Sequence, residues 1–147
     1  MDQAMVVDIL LVEDNPLDAE LVTRAIRKQN IANPLYVAED GAQALDVIFC
    51  RGAYANRSTA PLPKVILLDL KLPKVSGLEL LKAIKGEEAT RSIPVVIVSS
   101  SREDPDIKTA YALGANSYVV KPVSSDAFID AMSKLGLYWL LVNQPLP

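Results

Sequence analysis

Residues 6–28 read VVDILLVEDNPLDAELVTRAIRK, and this stretch contains a complete strand-to-helix unit. Val6–Val12 is nearly all apolar and rich in β-branched residues, the composition of a strand buried on both faces. Asn15-Pro16 then supplies an N-cap and a first-turn proline. Behind it Leu17, Leu21, Val22, Ala25 and Ile26 fall on one helical face, with Arg24, Arg27 and Lys28 elsewhere. A strand covered on both sides belongs to a parallel sheet, whose strands are joined by helical crossovers.

The rest of the chain repeats the unit. Leu35–Ala38 is a second, shorter strand, and Asp40-Gly41 opens a helix carrying Ala44, Leu45 and Ile48. Lys64–Asp69 (KVILLD) is a third strand, followed by a capping box at Ser76-Gly77-Leu78-Glu79 and a helix through Leu81, Ala83 and Ile84. Pro94–Val98 is a fourth strand, and Asp104-Pro105 caps a helix that ends before Gly114. Ser117–Val120 is a fifth strand, and Ser125-Asp126 starts a last helix running to about Val142. Residues 50–63, CRGAYANRSTAPLP, have no period and read as a long loop. Five βα units with right-handed crossovers predict a single α/β domain. The expected architecture is a doubly wound five-stranded parallel sheet in the flavodoxin-like order 2-1-3-4-5.

Composition narrows the chemistry. The 147 residues include 15 Lys+Arg against 18 Asp+Glu, a formal net charge of −3, which argues against a large nucleic-acid footprint. There is no histidine, so Ser-His-Asp triads, His-ligated metals and imidazole acid–base catalysis are excluded. Cys50 is the only cysteine, which removes an internal disulfide and any cysteine-cluster zinc site. No apolar run approaches a bilayer span and the start lacks a signal-peptide pattern, so a soluble, cytoplasmic protein without a membrane partner is expected.

Ligands of open α/β sheets bind where the strands end. Strand one ends in Glu13-Asp14, strand three in Asp69, strand four in Ser99 and strand five in Lys121-Pro122. Glu39-Asp40, after strand two, is set aside because it falls at the sheet's edge. Any one of these has an ordinary explanation, such as the helix N-cap for Asp14 or a solvated charge for Lys121. Asp69 is harder to dismiss, since a carboxylate beside four consecutive apolar residues is costly unless paired or metal-bound. Three carboxylates without His or Cys suit a hard cation with oxygen ligands, and Mg²⁺ fits best. Asp69 can serve as a nucleophile toward phosphorus, Lys121 as a compact cation for a phosphoryl oxygen, and Ser99 as a hydroxyl donor to another.

With these residues in place, the sequence from about Asp8 to Met132 resembles the receiver domain of two-component response regulators. The motifs are ILLVEDN at 9–15, ILLDLKLPKVSG at 66–77, VVIVSSS at 95–101 and ANSYVVKP at 115–122. Ser99 stands 30 residues after Asp69, and Lys121 stands 22 after Ser99. The resemblance implies that Asp69 is the phosphoacceptor and that Glu13 and Asp14 are the metal-site acids. It implies that Lys71 lends its backbone carbonyl to Mg²⁺ and that Lys121 contacts the phosphoryl group. Ser99 and Tyr118 would be the coupled switch pair, and the Lys121-Pro122 bond would be cis.

The long 50–63 loop and the extended end YWLLVNQPLP at 138–147 resemble stand-alone regulators that partner bacterial, especially cyanobacterial, phytochrome histidine kinases. That likeness implies one receiver domain over about residues 6–135, a helix extension and tail over 136–147, no output domain, and a sensor histidine kinase as partner. The apolar residues Leu137, Tyr138, Trp139, Leu140, Leu141 and Val142 exceed what one sheet face can cover. A symmetric homodimer is therefore expected, with Tyr138, Trp139, Leu140 and Val142 at its interface. The alternative is a tail folded back over its own domain. Among rival functions, a haloacid-dehalogenase-like phosphatase would need a second Asp where Lys71 stands. A flavodoxin-like cofactor binder would need a phosphate cradle in place of Glu13-Asp14-Asn15-Pro16. A pseudo-receiver scaffold would not need the full acidic set with Lys121.

Overall fold

The computed structural model describes residues 5–59, 61–122, 124–137 and 140. Its elements run β1 (Ile9–Val12), α1 (Pro16–Arg27), β2 (Leu35–Ala38), α2 (Gly41–Ile48), a 3-10 helix (Gly52–Thr59), β3 (Val65–Leu68), α3 (Gly77–Gly86), β4 (Val95–Ser99), α4 (Asp104–Ala112), β5 (Ser117–Val120) and α5 (Asp126–Leu137). All five strands are parallel, in the order β2-β1-β3-β4-β5. The expected fold class and order are both observed.

Alternation along each strand divides the core in two. Leu10, Val12, Ile66, Leu68, Val95 and Ile97 pack with Ala44, Val47 and Ile48 of α2 and Leu80, Leu81 and Ile84 of α3. Ile9, Leu11, Val65, Leu67, Val96 and Val98 face the other way, onto Val22, Ala25 and Ile26 of α1 and Phe128 and Met132 of α5. Burial on both faces is why β1, β3 and β4 read as apolar runs, while the edge strands β2 and β5 are only half-buried. Among the described residues no helix is long and apolar enough to cross a membrane.

Local chemistry sets the helix starts. Asn15 Oδ1 accepts from the amides of Leu17 (3.0 Å) and Asp18 (3.1 Å), with Pro16 in the first turn. Ser76 Oγ caps α3 through the Glu79 amide at 3.2 Å, and Ser125 Oγ caps α5 through the Phe128 amide at 3.1 Å. Helix α4 departs from expectation. Asp104 is already its first residue, Glu103 holds the cap position, and Glu103 makes no side-chain cap bond. Strand β1 also starts later than Val6. Val6 is exposed, and Asp8 turns its carboxylate to Asn33 Nδ2 at 2.8 Å.

Residues 50–63 are corrected more substantially, because eight of them form the 3-10 helix. Tyr54 packs edge-on against Tyr36 of β2, and Gln43 Nε2 donates to both phenol oxygens. Arg57 is 1% exposed; its Nε donates to the Val47 carbonyl and its Nη1 to the Met5 carbonyl. A further correction concerns Leu140. It is buried with Ile9, Ile26, Val65, Leu67, Met132 and Leu135, so it is spent in the domain's own core. Tyr138, Trp139 and Val142 lie outside the described residues.

Glycines lock the segment between β3 and α3. A Cβ on Gly77 would overlap the Asp69 carbonyl oxygen, and one on Gly41 would overlap the Val75 carbonyl oxygen. Helix α3 can therefore start against the backbone of Asp69 only without a side chain at 77. Gly77→Ala is expected to cost about 2 kcal/mol, as overpacking against an unyielding backbone does. Denaturant unfolding with and without the substitution is the measurement, and a change below about 0.5 kcal/mol would contradict the packing argument.

Candidate functional site

The site lies where β1 and β3 are neighbours and the strand order reverses, the crevice such sheets use for ligands. Val12 and Leu68 are paired in the parallel ladder, so the residues that follow them, Glu13 and Asp69, leave the sheet side by side. The Asp69 amide donates to the Val12 carbonyl at 3.1 Å, and the Glu13 amide to that of Ala38 at 3.0 Å. Backbone hydrogen bonds thus hold the main chain of both residues at the end of the sheet.

Carboxylate oxygens of Glu13, Asp14 and Asp69 all lie within 4.8 Å of one another. Glu13 and Asp69 are buried, while Asp14 is exposed at the mouth. Three anionic oxygens at this spacing, with no nitrogen or sulfur donor in the cluster, suit a hard divalent cation. From the far side Lys121 Nζ reaches Glu13 Oε1 at 2.7 Å, Asp69 Oδ2 at 3.0 Å and Asp18 Oδ2 at 3.0 Å. The other Asp69 oxygen, Oδ1, accepts from the Lys71 amide at 3.1 Å. Glu13 Oε2 accepts from the Asn15 amide at 3.3 Å.

The electrostatics follow from this crowding. Burial pushes the Glu13 carboxyl up to about 7; the Lys121 hydrogen bond opposes the rise and the Asp69 charge adds to it. Burial alone would lower the Lys121 ammonium, yet its bonds to Glu13, Asp18 and Asp69 outweigh that and hold it well above the usual lysine range. Lys121 is therefore a fixed cation, and Glu13 is a carboxylate whose charge is set first by its burial and then by Lys121 and Asp69.

Sequence reasoning missed Asp18. It stands in the first turn of α1, where its Oδ2 lies 3.0 Å from Lys121 Nζ. The pair Glu39-Asp40, set aside earlier, divides. Asp40 caps α2 through the Gln43 amide, which lowers its carboxyl below the usual range, and pairs with Lys74 at 3.3 Å. Glu39 shares with Glu13, Asp14 and Glu20 the lining of an open groove of about 670 Å³ between α1 and β2.

Ser99 ends β4 and is 1% exposed; its Oγ accepts from the Ser101 amide at 3.1 Å. Tyr118, on β5, is half-buried against the α2–α3 side of the core and donates its hydroxyl to the Ser101 carbonyl at 2.9 Å. The Lys121-Pro122 bond is cis.

The family model for the response regulator receiver domain matches residues 9–133. A probable methanogenesis regulatory protein, FilR2 of Methanothrix harundinacea, is 40% identical over 136 residues, 92% of this chain and 85% of the relative. Response regulator Rcp1 of Synechocystis sp. is 34% identical over 132 residues, 90% of this chain and 88% of its own. The solved Mn²⁺-bound form of Rcp1 superposes with a TM-score of 0.84 at 32% identity, covering 97% of this chain and 99% of that one. The bacteriophytochrome response regulator AtBRR is 49% identical with a TM-score of 0.76, covering 95% and 99%.

Proposed function

The chain belongs to the response regulator receiver family, and from that membership we propose that Asp69 takes a phosphoryl group from a sensor histidine kinase with Mg²⁺ bound beside it. The observation that carries this reading is Lys121 Nζ held by Glu13, Asp18 and Asp69 at the edge of a three-carboxylate cluster. Receiver domains bind a divalent metal at an acidic pocket of this kind. Glu13, Asp14 and Asp69 are the side chains that would hold Mg²⁺ here, with the Lys71 carbonyl as a fourth oxygen. The ion supplies charge neutralisation for a phosphoryl group that three carboxylates would otherwise repel.

This chain's own residues do the rest. An Asp69 carboxylate oxygen attacks phosphorus, the new P–O bond forms, and the bond to the donor breaks with its electron pair leaving on the donor. Lys121, already within 3.0 Å of Asp69 Oδ2, turns its ammonium onto a phosphoryl oxygen. Ser99 donates its hydroxyl to a second oxygen, and Tyr118 follows into the space released. The switch alters the face made by α4, β5 and α5. Beyond its own phosphorylation and dephosphorylation the protein turns over no external substrate.

Likeness to Rcp1 and to the bacteriophytochrome regulator AtBRR supports a phytochrome-type kinase as the donor. The test is incubation with a small phosphodonor and Mg²⁺, followed by intact mass. One added phosphoryl group per chain is expected; none, under conditions that label a control receiver, would refute the reading.

Self-association through the end of the chain is a separate part of the proposal. With Leu140 committed to its own core, the remaining apolar sequence there is Leu137, Tyr138, Trp139, Leu141 and Val142, with the two aromatic residues as the anchors. Wild type is expected to sediment as a dimer and Tyr138→Ala/Trp139→Ala as a monomer. A monomeric wild type at high micromolar concentration, with or without phosphodonor, would sink this part, as would a dimer the double substitution leaves intact.

A further inference from the structure

Ser101 has every polar group engaged, and each engagement points to a different part of the switch. Its amide donates to Ser99 Oγ at 3.1 Å. Its carbonyl accepts from the Tyr118 hydroxyl at 2.9 Å. Its own Oγ donates to Asp106 Oδ2 at 2.5 Å and accepts from the Glu103 amide at 3.3 Å. The last two bonds attach the Ser101 side chain to the N-cap residue and the first turn of α4, where Glu103 makes no side-chain cap bond of its own, so Ser101 links the start of α4 to the end of β4. That tie matters because α4 is weakly held elsewhere. Ala110 is its one buried residue.

We propose that Ser101 is the positioning residue that transmits the state of Ser99 to helix α4, through its side-chain bond to Asp106. The argument is one of hydrogen-bond accounting. With Ser99 Oγ accepting from the Ser101 amide, the Ser99 proton stays available for donation. Turning that proton toward a phosphoryl oxygen on Asp69 draws Oγ away from the Ser101 amide. The amide must then follow its acceptor or lose it, and leaving the half-buried Ser101 amide unpaired costs stability. When Ser101 follows, its side chain carries Asp106 and the first turn of α4 with it. Tyr118 is moved through the Ser101 carbonyl, a backbone group that no substitution at 101 removes. One residue therefore has two outputs, and only the output to α4 depends on its side chain.

The inference rests on Asp69 being the phosphoacceptor, and intact mass is recorded on every sample so that the two can fail separately. Amide hydrogen exchange is followed over α4 and around Tyr118, before and after treatment with a small phosphodonor and Mg²⁺. Ser101→Ala is expected to gain the phosphoryl group as wild type does and to keep the response around Tyr118. Its phosphorylation-dependent change over α4 should fall about fivefold, the equilibrium worth of one hydrogen bond. Asp106→Asn keeps an oxygen for the Ser101 hydroxyl and should retain the α4 response, whereas Asp106→Ala should lose it. A Ser101→Ala protein that exchanges faster over α4 in both states, with the difference between states undiminished, would reduce Ser101 to a helix cap and overturn the inference. Absence of any mass gain in wild type would overturn the phosphoacceptor reading itself, and the coupling with it.

Discussion

Asp69→Asn is expected to abolish phosphoryl incorporation, leaving intact mass unchanged under conditions where wild type gains one group per chain. The substitution is nearly isosteric, and the amide oxygen can still accept from the Lys71 amide that holds Asp69 Oδ1 at 3.1 Å. What disappears is the nucleophile. An uncharged carboxamide oxygen does not attack phosphorus as a carboxylate does. The fold should survive with a change of about 1 kcal/mol, because one charge-assisted bond to Lys121 is lost while repulsion with Glu13 is relieved. The Asp69 charge is one of the causes that raise the Glu13 carboxyl, so Glu13 in the variant should titrate below about 7. Equal labelling of wild type and variant would move the phosphoacceptor elsewhere, with Asp14, the exposed member of the cluster, as the next candidate.

Much of this was legible in the chain because the relevant physics is local. Strands buried on both faces show as continuous apolar runs, and Asn15, Ser76 and Ser125 announce their helices by their own side chains. Glu13, Asp14, Asp69, Ser99 and Lys121 were found because parallel strands must end at a common edge. The 3-10 helix was invisible because its anchors are tertiary. Arg57 reaches the carbonyls of Val47 and Met5, and Tyr54 reaches Tyr36, none of which leaves a period in residues 50–63. Asp18 escaped for the same reason, since its partner Lys121 lies 103 residues away. The Ser101–Asp106 bond spans only five residues. It joins two short polar side chains across the start of a helix, and Asp104-Pro105 offered the more familiar signal there. Leu140 shows the limit of counting apolar residues. A surplus of them near a chain end does not say which ones the domain itself will bury.

Lys121 carries the largest expected effect on stability. It is the common partner of Glu13, Asp18 and Asp69, and its side chain is only 13% exposed. Lys121→Ala leaves those carboxylates facing one another, and removing one partner of a buried ion pair costs about 3 kcal/mol. Glu13 can relieve the loss by taking a proton. Its carboxyl already stands at about 7 with Lys121 present, and losing the Lys121 bond, which lowers it, moves it higher. A carboxyl whose folded pKa exceeds its unfolded value near 4.5 binds more protons when folded, so stability rises as pH falls from the folded value toward the unfolded one. The deficit of Lys121→Ala should therefore be greatest near pH 8 and shrink toward pH 5, measured by urea unfolding in the presence of chelator. Divalent cation should act in the opposite sense. With the competing ammonium gone, the carboxylates of Glu13, Asp14 and Asp69 present a more negative site. Saturating Mg²⁺ at pH 8 should then raise the melting temperature of the variant more than that of wild type. A pH-independent deficit would show that Lys121 supports the fold by packing alone. An equal Mg²⁺ increment in both proteins would mean that its charge does not reach the cluster it touches.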